Sequence, residues 1–278
     1  MSHASIIVVD SVTTLDGNHR DAVLVAGSHG GVIAAYLAAK AGARAAILND
    51  AGVGLDGAGI AGLPYLAAIG MAAATVGHMS ARIGDGADAL ARGIISHANE
   101  IAVRIGVHPG QKCAEAAARL RAGPRPHAPP PAYAEARFVL RAHADGPQVW
   151  GLDSVGKVLP EDRGRILVIG SHGGLHGGRP ETALPVEARA AVFNDAGGGA
   201  DDAGLTRLPV LDARGMPAAT VACMSARIGD ARSMWETGIL SHVNEAARTL
   251  GARPGQAVQE FVRLVARSAS PPDAGAAS

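Results

Sequence analysis

Side chains that can do chemistry recur in the same order in the two halves of this 278-residue chain. The first-half set is Ser28, His29, Asn49, Asp50, Ser80, Arg82 and His97, and the second-half set is Ser171, His172, Asn194, Asp195, Ser225, Arg227 and His242. Histidine and aspartate transfer protons, and arginine binds carboxylate or phosphate groups through parallel hydrogen bonds. The two sets together predict a site for a small anionic metabolite.

The first motif is Gly-Ser-His-Gly-Gly, at residues 27–31 and 170–174. It follows an apolar run, so we expect a strand, a tight turn and then a helix whose first N–H groups are free to bind an anion. The predicted catalytic residues are His29 and His172, and the predicted substrate ligands are Ser28, Gly30, Gly31, Ser171, Gly173 and Gly174. The alternative is a plain turn in which Ser28 caps the helix.

The second motif, Asn-Asp-Ala-Gly, ends another apolar run at residues 49–52 and 194–197. A carboxylate at the end of a buried strand can orient a histidine, bind a metal or act as a general base. We assign catalytic roles to Asp50 and Asp195, and substrate-binding roles to Asn49 and Asn194. The alternative is that these side chains close their own turn through local backbone hydrogen bonds.

The third motif, Ser-Ala-Arg-Ile-Gly-Asp, occupies residues 80–85 and 225–230. A long cation at a strand end suits a clamp on an anion, so the predicted substrate ligands are Arg82, Arg227, Ser80 and Ser225. The alternative is an ion pair between each arginine and the aspartate of the second motif. The last aspartate of the third motif stands where a helix N-cap belongs.

The fourth motif, Ser-His-x-Asn-Glu, falls inside a segment from Gly86 to Ile105 that we predict as one long helix. In that helix His97 and its counterpart His242 share an apolar stripe, which places both imidazoles towards the core. We assign them catalytic roles, and the alternative is a core histidine with its hydrogen bonds satisfied.

One difference between the two copies bears on chemistry: His78 of the first is Cys223 in the second. This exchange could make one site catalytic and the other structural, or provide a base and a thiol in a shared cleft. The alternative is drift at a half-buried strand position, where cysteine packs as a small hydrophobe.

Short apolar runs alternate with helical segments in each half, in the predicted order β-β-α-β-α-β-α-α. This order is typical of an α/β fold in which mostly parallel sheets lie between helical layers. We predict an internally duplicated, pseudo-two-fold protein whose polar loops gather at the carboxyl ends of the strands, where such sheets bind ligands. The predicted segments are a first repeat at 1–121, a proline-rich linker at 122–135, a second repeat at 136–267 and a disordered tail at 268–278.

Composition restricts the classes of partner. The formal net charge is zero and aromatic residues make up 3% of the chain, which argues against a nucleic-acid partner. Two cysteines cannot form a disulfide framework, and neither a signal peptide nor an apolar run of membrane-spanning length is evident. We therefore expect a cytoplasmic protein without a membrane partner.

The leading hypothesis is an enzyme that acts on a small anionic metabolite near the interface of the repeats. Hydrolysis is favoured over isomerase or lyase chemistry, with His29 or His172 moving protons and Asp50 or Asp195 setting the imidazole tautomer. One alternative is a metal-dependent hydrolase, and another is a non-catalytic ligand-binding or sensor protein. No cofactor is predicted, a divalent metal and a homo-oligomer are left open, and no family is assigned.

Overall fold

The protein contains two mostly parallel sheets in a computed structural model that describes residues 4–141 and 147–268. The first sheet has strands in chain order: β1 (Ile6–Val9), β2 (Val23–His29), β3 (Ala45–Asn49), β4 (Ala72–Val76) and β5 (Ile95–Ala98). The second is also in chain order: β6 (Arg137–Arg141), β7 (Val149–Leu152), β8 (Ile166–His172), β9 (Ala190–Asn194), β10 (Ala218–Val221) and β11 (Leu240–Val243). Pairing is parallel except at β5, β6 and β11.

Helices cover both faces of the first sheet and most of the second. They are α1 (Val32–Lys40), α2 (Gly62–Ala67), α3 (Gly86–Arg92), α4 (Glu100–Arg104), α5 (Cys113–Leu120), α6 (Arg207–Ala213), α7 (Ala231–Thr237), α8 (Glu245–Thr249) and α9 (Val258–Arg267). Alanine, valine, isoleucine and leucine side chains of the central strands are fully buried between these layers. The predicted three-layer α/β class is therefore confirmed.

The long helix predicted over residues 86–105 is wrong. The segment forms α3, then the antiparallel edge strand β5, then α4. Gly93 leaves the helical conformation, with φ −56° and ψ 137°, and Asn99 caps α4 by accepting a hydrogen bond from the N–H of Ala102. The equivalent segment of the second half folds in the same way, into α7, β11 and α8.

Two further differences concern the first motif. Residues 27–29 belong to strand β2, since His29 still pairs with Asn49 beyond a bulge, and so the turn begins later than predicted. In the second half the predicted helix after β8 is replaced by two short 3-10 turns, His176–Gly178 and Pro180–Thr182. Glycines and a proline in this stretch disfavour a helix.

The proline-rich linker lies against the first half. The N–H of His127 donates to the carbonyl of Ile69 at 3.0 Å, and the hydroxyl of Tyr65 donates to the carbonyl of Pro131 at 2.5 Å. The predicted tail lies, apart from Ser268, outside the described residues. No described helix has the length and apolarity to cross a bilayer.

The carboxyl ends of the two sheets face each other and are joined by reciprocal contacts. The N–H of Leu55 donates to the carbonyl of Cys223, and the N–H of Ala200 donates to the carbonyl of His78, both at 2.8 Å. Two ion pairs of 3.0 Å, Arg227–Asp56 and Arg92–Asp201, also cross this junction. A small apolar cluster fills its centre: Ala51, Ala58, Ile83, Ala196, Ala203 and Ile228. The loops that carry the second and third motifs therefore hold the halves together.

Gly52 and Gly197 pack closely against each other across the junction. A Cβ on Gly52 would lie 3.1 Å from Cα of Gly197 and 3.2 Å from Sγ of Cys223. Gly52 also has φ +73°, a left-handed conformation that disfavours other residues.

We predict that Gly52→Ala destabilises the protein by about 1–3 kcal/mol more than Gly198→Ala. Gly198 has the same φ of +73° but nothing within 4 Å of its Cβ position, so it serves as a matched control for the conformational cost. Urea denaturation of both variants measures the difference. Equal free energies of unfolding would show that the junction has room for a methyl group.

Candidate active site at the junction of the halves

The glycine N–H groups of the first motif have acceptors within the protein. The N–H of Gly30 donates to the carbonyl of Asn49 at 2.7 Å, and the N–H of Gly31 donates to Nδ1 of His29 at 3.2 Å. The second half repeats both hydrogen bonds, from Gly173 to Asn194 and from Gly174 to His172. The glycine N–H groups of the predicted anion site are therefore already used within the protein.

The serines of the first motif are engaged as well. Oγ of Ser28 accepts from the N–H of Val12 at 3.0 Å, and Oγ of Ser171 accepts from the N–H of Val155 at 3.1 Å. Ser28 does not cap α1, whose N-cap is Gly31 without a side-chain hydrogen bond. These serines join the strand to the preceding loop.

His29 and His172 are buried and neutral. Burial lowers the pKa of His29 to about 4 and that of His172 well below 6.5. Because Nδ1 of each ring accepts a hydrogen bond, the proton of the neutral ring is on Nε2. Each imidazole is therefore a hydrogen-bond donor and a weak base, which does not suit the proton-moving role predicted for it.

The two imidazoles line one small cavity of about 40 Å³ between the halves. His176 also lines it, with its ring centroid 5.8 Å from that of His172. Two buried oxygens of this cavity, Oγ of Ser154 and Oε1 of Glu135, have no hydrogen-bond partner among the described residues. The volume suits a water molecule and is too small for a metabolite.

The predicted asparagine and serine ligands make local hydrogen bonds. Asn49 accepts from the N–H of Ala51 and donates to the carbonyl of Ala81, and Asn194 makes the equivalent bonds with Ala196 and Ala226. Ser80 and Ser225 each donate to a carbonyl three residues earlier and accept from the N–H of Ile94 and Ile239, respectively. These side chains hold the loops in place. For the asparagines this agrees with the alternative in which they close their own turn through local backbone hydrogen bonds.

Both predicted arginine clamps are paired with aspartates. Arg82 lies 3.0 Å from Asp88 and 3.3 Å from Asp85, and Arg227 lies 3.0 Å from both Asp230 and Asp56. The ion-pair alternative with Asp50 or Asp195 is also wrong, since the described partners are other aspartates. The N-cap roles predicted for the last aspartate of the motif are confirmed, because Asp85 caps α3 and Asp230 caps α7.

One predicted pair does meet, and it does so across the junction. His29 of the first half and Arg227 of the second line a cavity of about 210 Å³, together with Asp56, Tyr133 and Asp230. The two carboxylates outweigh the one guanidinium, and His29 is neutral. The cavity therefore carries negative charge and does not favour an anion.

Asp50 forms the strongest candidate for a catalytic group with His78, the residue that is replaced by Cys223 in the second half. Nδ1 of His78 lies 2.9 Å from Oδ1 of Asp50, and the same oxygen accepts from the N–H groups of His78 and Gly52. The carboxylate is 5% exposed and the imidazole 27% exposed. Since a carboxylate only accepts hydrogen bonds, Nδ1 carries the proton and Nε2 is left as the base.

The Asp50 carboxylate adjusts the proton affinity of its partner. Its hydrogen bond raises the pKa of His78 above 6.5 despite partial burial, and the charge of Asp195 in the other half acts in the same direction. Burial raises the pKa of Asp50, but the hydrogen bonds from His78 outweigh this and leave that pKa below 3.8. Asp50 therefore orients His78 and not His29.

Cys223 and Asp195 form the equivalent pair in the second half. Oδ1 of Asp195 accepts from the N–H groups of Cys223 and Gly197, both at 2.9 Å, which reproduces the backbone cradle around Asp50. Burial and then the neighbouring Asp195 charge raise the pKa of the Cys223 thiol to about 11. The thiol is thus protonated at neutral pH and is not a nucleophilic thiolate.

The histidines of the fourth motif lie in edge strands and not in helices. Nδ1 of His97 is 3.2 Å from Oγ of Ser96, and His242 is exposed on β11. Their predicted core-facing orientation is wrong because strand geometry replaces the helical stripe. His29, Asp50 and Arg82 do not meet in one half, so the single shared cluster expected there is not formed.

The metal-dependent alternative required His29 and Asp50 as joint ligands. The two residues have separate partners, and residues 4–141 and 147–268 contain no group of three or more His, Cys, Asp and Glu side chains arranged to hold a metal ion.

We predict that the free energy of unfolding falls as pH decreases from about 6.5 to about 4. Between these pH values the unfolded chain binds a proton at His29 that the folded chain does not. The contribution of His29 to the free energy of unfolding is therefore about 3 kcal/mol larger above pH 6.5 than below pH 4. His29→Gln should reduce this dependence but not remove it, because burial also lowers the pKa values of His172 and His176. His108→Gln, at an exposed histidine, should leave it unchanged. Urea midpoints at several pH values test this, and parallel profiles for all three proteins would refute it.

We also predict that Asp50→Asn lowers the pKa of His78. The amide retains an acceptor for the backbone N–H groups but loses the charge that stabilises the imidazolium. NMR titration of the histidine ring signals, assigned through His78→Asn, measures this pKa in both proteins. An unchanged pKa of His78 would mean that the carboxylate does not act on the ring in solution.

Comparisons of the chain with protein-family models, with curated proteins and with solved structures give no match. The function is therefore argued from the geometry of the described side chains.

Proposed function

We propose that the protein is an enzyme that removes a proton from a small polar metabolite, or from a water molecule that attacks one. The observation that carries this proposal is the buried Asp50 carboxylate hydrogen-bonded to Nδ1 of the partly exposed His78. A carboxylate in this position fixes the tautomer of an imidazole and stabilises the imidazolium that forms when Nε2 takes a proton. The same carboxylate raises the pKa of His78 and so makes Nε2 a stronger base.

The position of His78 also supports a catalytic role. It follows strand β4 at the carboxyl end of the parallel sheet, which is where α/β proteins bind ligands. Nε2 has no hydrogen-bond partner among the described residues, and a Cβ on Gly197 of the other half would lie 3.2 Å from it. The base is thus held at the junction with its reactive nitrogen unused.

The neighbouring groups favour some reaction types over others. No described serine hydrogen-bonds to His78, and Cys223 is held as a thiol. A covalent intermediate on Ser or Cys is therefore not supported by this geometry. Hydrolysis by water that His78 activates, and direct proton abstraction as in an isomerase or lyase, both agree with it.

Charge favours a neutral or cationic reacting group. The carboxylates of Asp50 and Asp195 both act on His78, and no described arginine lies free to offset them at this point. The anionic substrate expected from the sequence depended on Arg82 and Arg227, whose guanidinium groups are paired with aspartates. We therefore propose a small polar metabolite whose reacting end is not an anion.

We expect the wild-type protein to convert at least one component of a metabolite extract, and His78→Asn to slow that conversion about 100-fold or more. His242→Asn, at an exposed histidine of the second half, should retain wild-type activity. Mass spectrometry in deuterium oxide or heavy-oxygen water identifies the reaction. Deuterium on a carbon of the product indicates proton abstraction, and heavy oxygen in the product indicates hydrolysis.

Equal rates for wild type and His78→Asn would remove His78 as the base. A metabolite that raises the melting temperature of the protein without any product being formed would instead support a ligand-binding protein. A product that contains neither heavy oxygen nor carbon-bound deuterium from the solvent would overturn the proposal.

A further inference from the structure

A groove lies at the amino ends of the strands of the first sheet, away from His78. It has a volume of about 680 Å³, within the range of small-molecule sites. Its residues Arg20 and Asp21 precede β2 and Arg44 precedes β3, whereas Asp50 and His78 follow β3 and β4. The groove is therefore at the amino ends of the strands and is separate from the proposed active site.

Positive charge is concentrated in this groove although the whole chain has a formal net charge of zero. The charged side chains that line it are Arg20, Lys40, Arg44, Arg125 and Asp21. Four cations and one carboxylate leave three positive charges in a single concave surface. Low-dielectric walls that carry one sign of charge raise the local concentration of oppositely charged ligands.

The five charges are not equivalent. Asp21 is held by two arginines, at 3.0 Å from Arg44 and 2.7 Å from Arg125. Arg44 also donates to the carbonyl groups of Arg121 and Gly123, so it is structural. Arg20 and Lys40 are exposed and form no ion pair with any described residue, which leaves both available to a ligand.

The proline-rich linker forms one wall of the groove and is fixed in place. Arg125 anchors it to Asp21, His127 donates its N–H to the carbonyl of Ile69, and Pro131 accepts from the hydroxyl of Tyr65. Pro126, Pro129 and Pro130 line the groove, and their fixed backbone lowers the entropy lost when a ligand binds. The opposite wall is helix α1, through Tyr36 and Lys40.

We infer that this groove binds a small phosphate-bearing polyanion through Arg20 and Lys40, with the exposed guanidinium of Arg125 at its edge. Arginine presents a planar fork of donors that matches phosphate oxygens, and lysine adds a mobile point charge. A concave surface of this volume with three net charges suits a ligand with two or more negative charges. The ring of Tyr36, 5.6 Å from Nζ of Lys40, provides an apolar face for the organic part of a phosphate ester.

Inorganic pyrophosphate is the first probe, compared with inorganic phosphate and with adenosine monophosphate by calorimetry at low salt. We expect pyrophosphate to bind more tightly than phosphate and to weaken as salt is added, because the contacts are between charges. The double variant Arg20→Gln with Lys40→Gln should bind pyrophosphate about tenfold or more weakly.

Lys112→Gln with Arg119→Gln is the matched control, because it removes the same charge from exposed positions near and on α5 in the same half. This control should bind pyrophosphate within about threefold of wild type, because neither side chain lines the groove. Equal weakening in both double variants, or no saturable binding by wild type, would overturn the inference. Circular dichroism of each variant confirms that it is folded.

Two further arms separate related outcomes. Sedimentation with phosphatidylcholine vesicles that contain phosphatidic acid shows whether the same cations bind a lipid headgroup; binding of vesicles without binding of pyrophosphate would contradict a free-phosphate site. His78→Asn should bind pyrophosphate like wild type. The groove lies at the amino ends of the strands, whereas the Asp50–His78 pair lies at their carboxyl ends. Loss of pyrophosphate binding would therefore not contradict the proposed activity, and loss of activity would not contradict the proposed binding of pyrophosphate.

Discussion

The direct contact between the carboxyl ends of the two sheets determines where every other feature lies. Two main-chain hydrogen bonds, Leu55 to Cys223 and Ala200 to His78, join the loops that follow the strands. Close packing beside these bonds uses glycine, as at Gly52, whose Cβ position lies 3.1 Å from Cα of Gly197. In many α/β proteins the loops at the carboxyl ends of the strands face solvent and bind ligands. Here these loops pack against the loops of the other half. The motif side chains themselves mostly bond within their own half, as Asn49 does to Ala81, whereas the Arg227–Asp56 ion pair crosses the junction.

The fold could be predicted from sequence where a single local pattern determined the element. Strand β3 ends at the second motif and helix α1 begins directly after the first motif, as the sequence predicts. The helix expected over 86–105 failed because an apolar stripe at helical spacing arose by coincidence across three elements. Gly93 and Asn99 carried the opposing signals, a helix stop and an N-cap, and both are readable without a structure.

The candidate site was less predictable because sequence gives the order of side chains but not their direction or their partners across the junction. Asp50 was correctly placed at a strand end, but its histidine proved to be His78, 28 residues later, and not His29. Matching the copies selected shared residues and so gave little weight to His78, which is replaced by Cys223 in the second half. The repeated histidines of the first motif instead line a small cavity at the junction, where burial keeps them neutral.

The exchange of His78 for Cys223 shows how one scaffold can give two chemical outcomes. Each residue follows the fourth parallel strand of its half, and each donates its N–H to an aspartate oxygen at 2.9 Å. A carboxylate beside an imidazole stabilises the protonated cation and so raises its pKa, whereas the same carboxylate beside a thiol destabilises the thiolate and also raises its pKa. Raising the pKa strengthens the imidazole as a base but makes the thiol inert. The same environment therefore strengthens the imidazole base of the first half and keeps the thiol of the second half protonated. An approximately symmetric junction thus presents a single base.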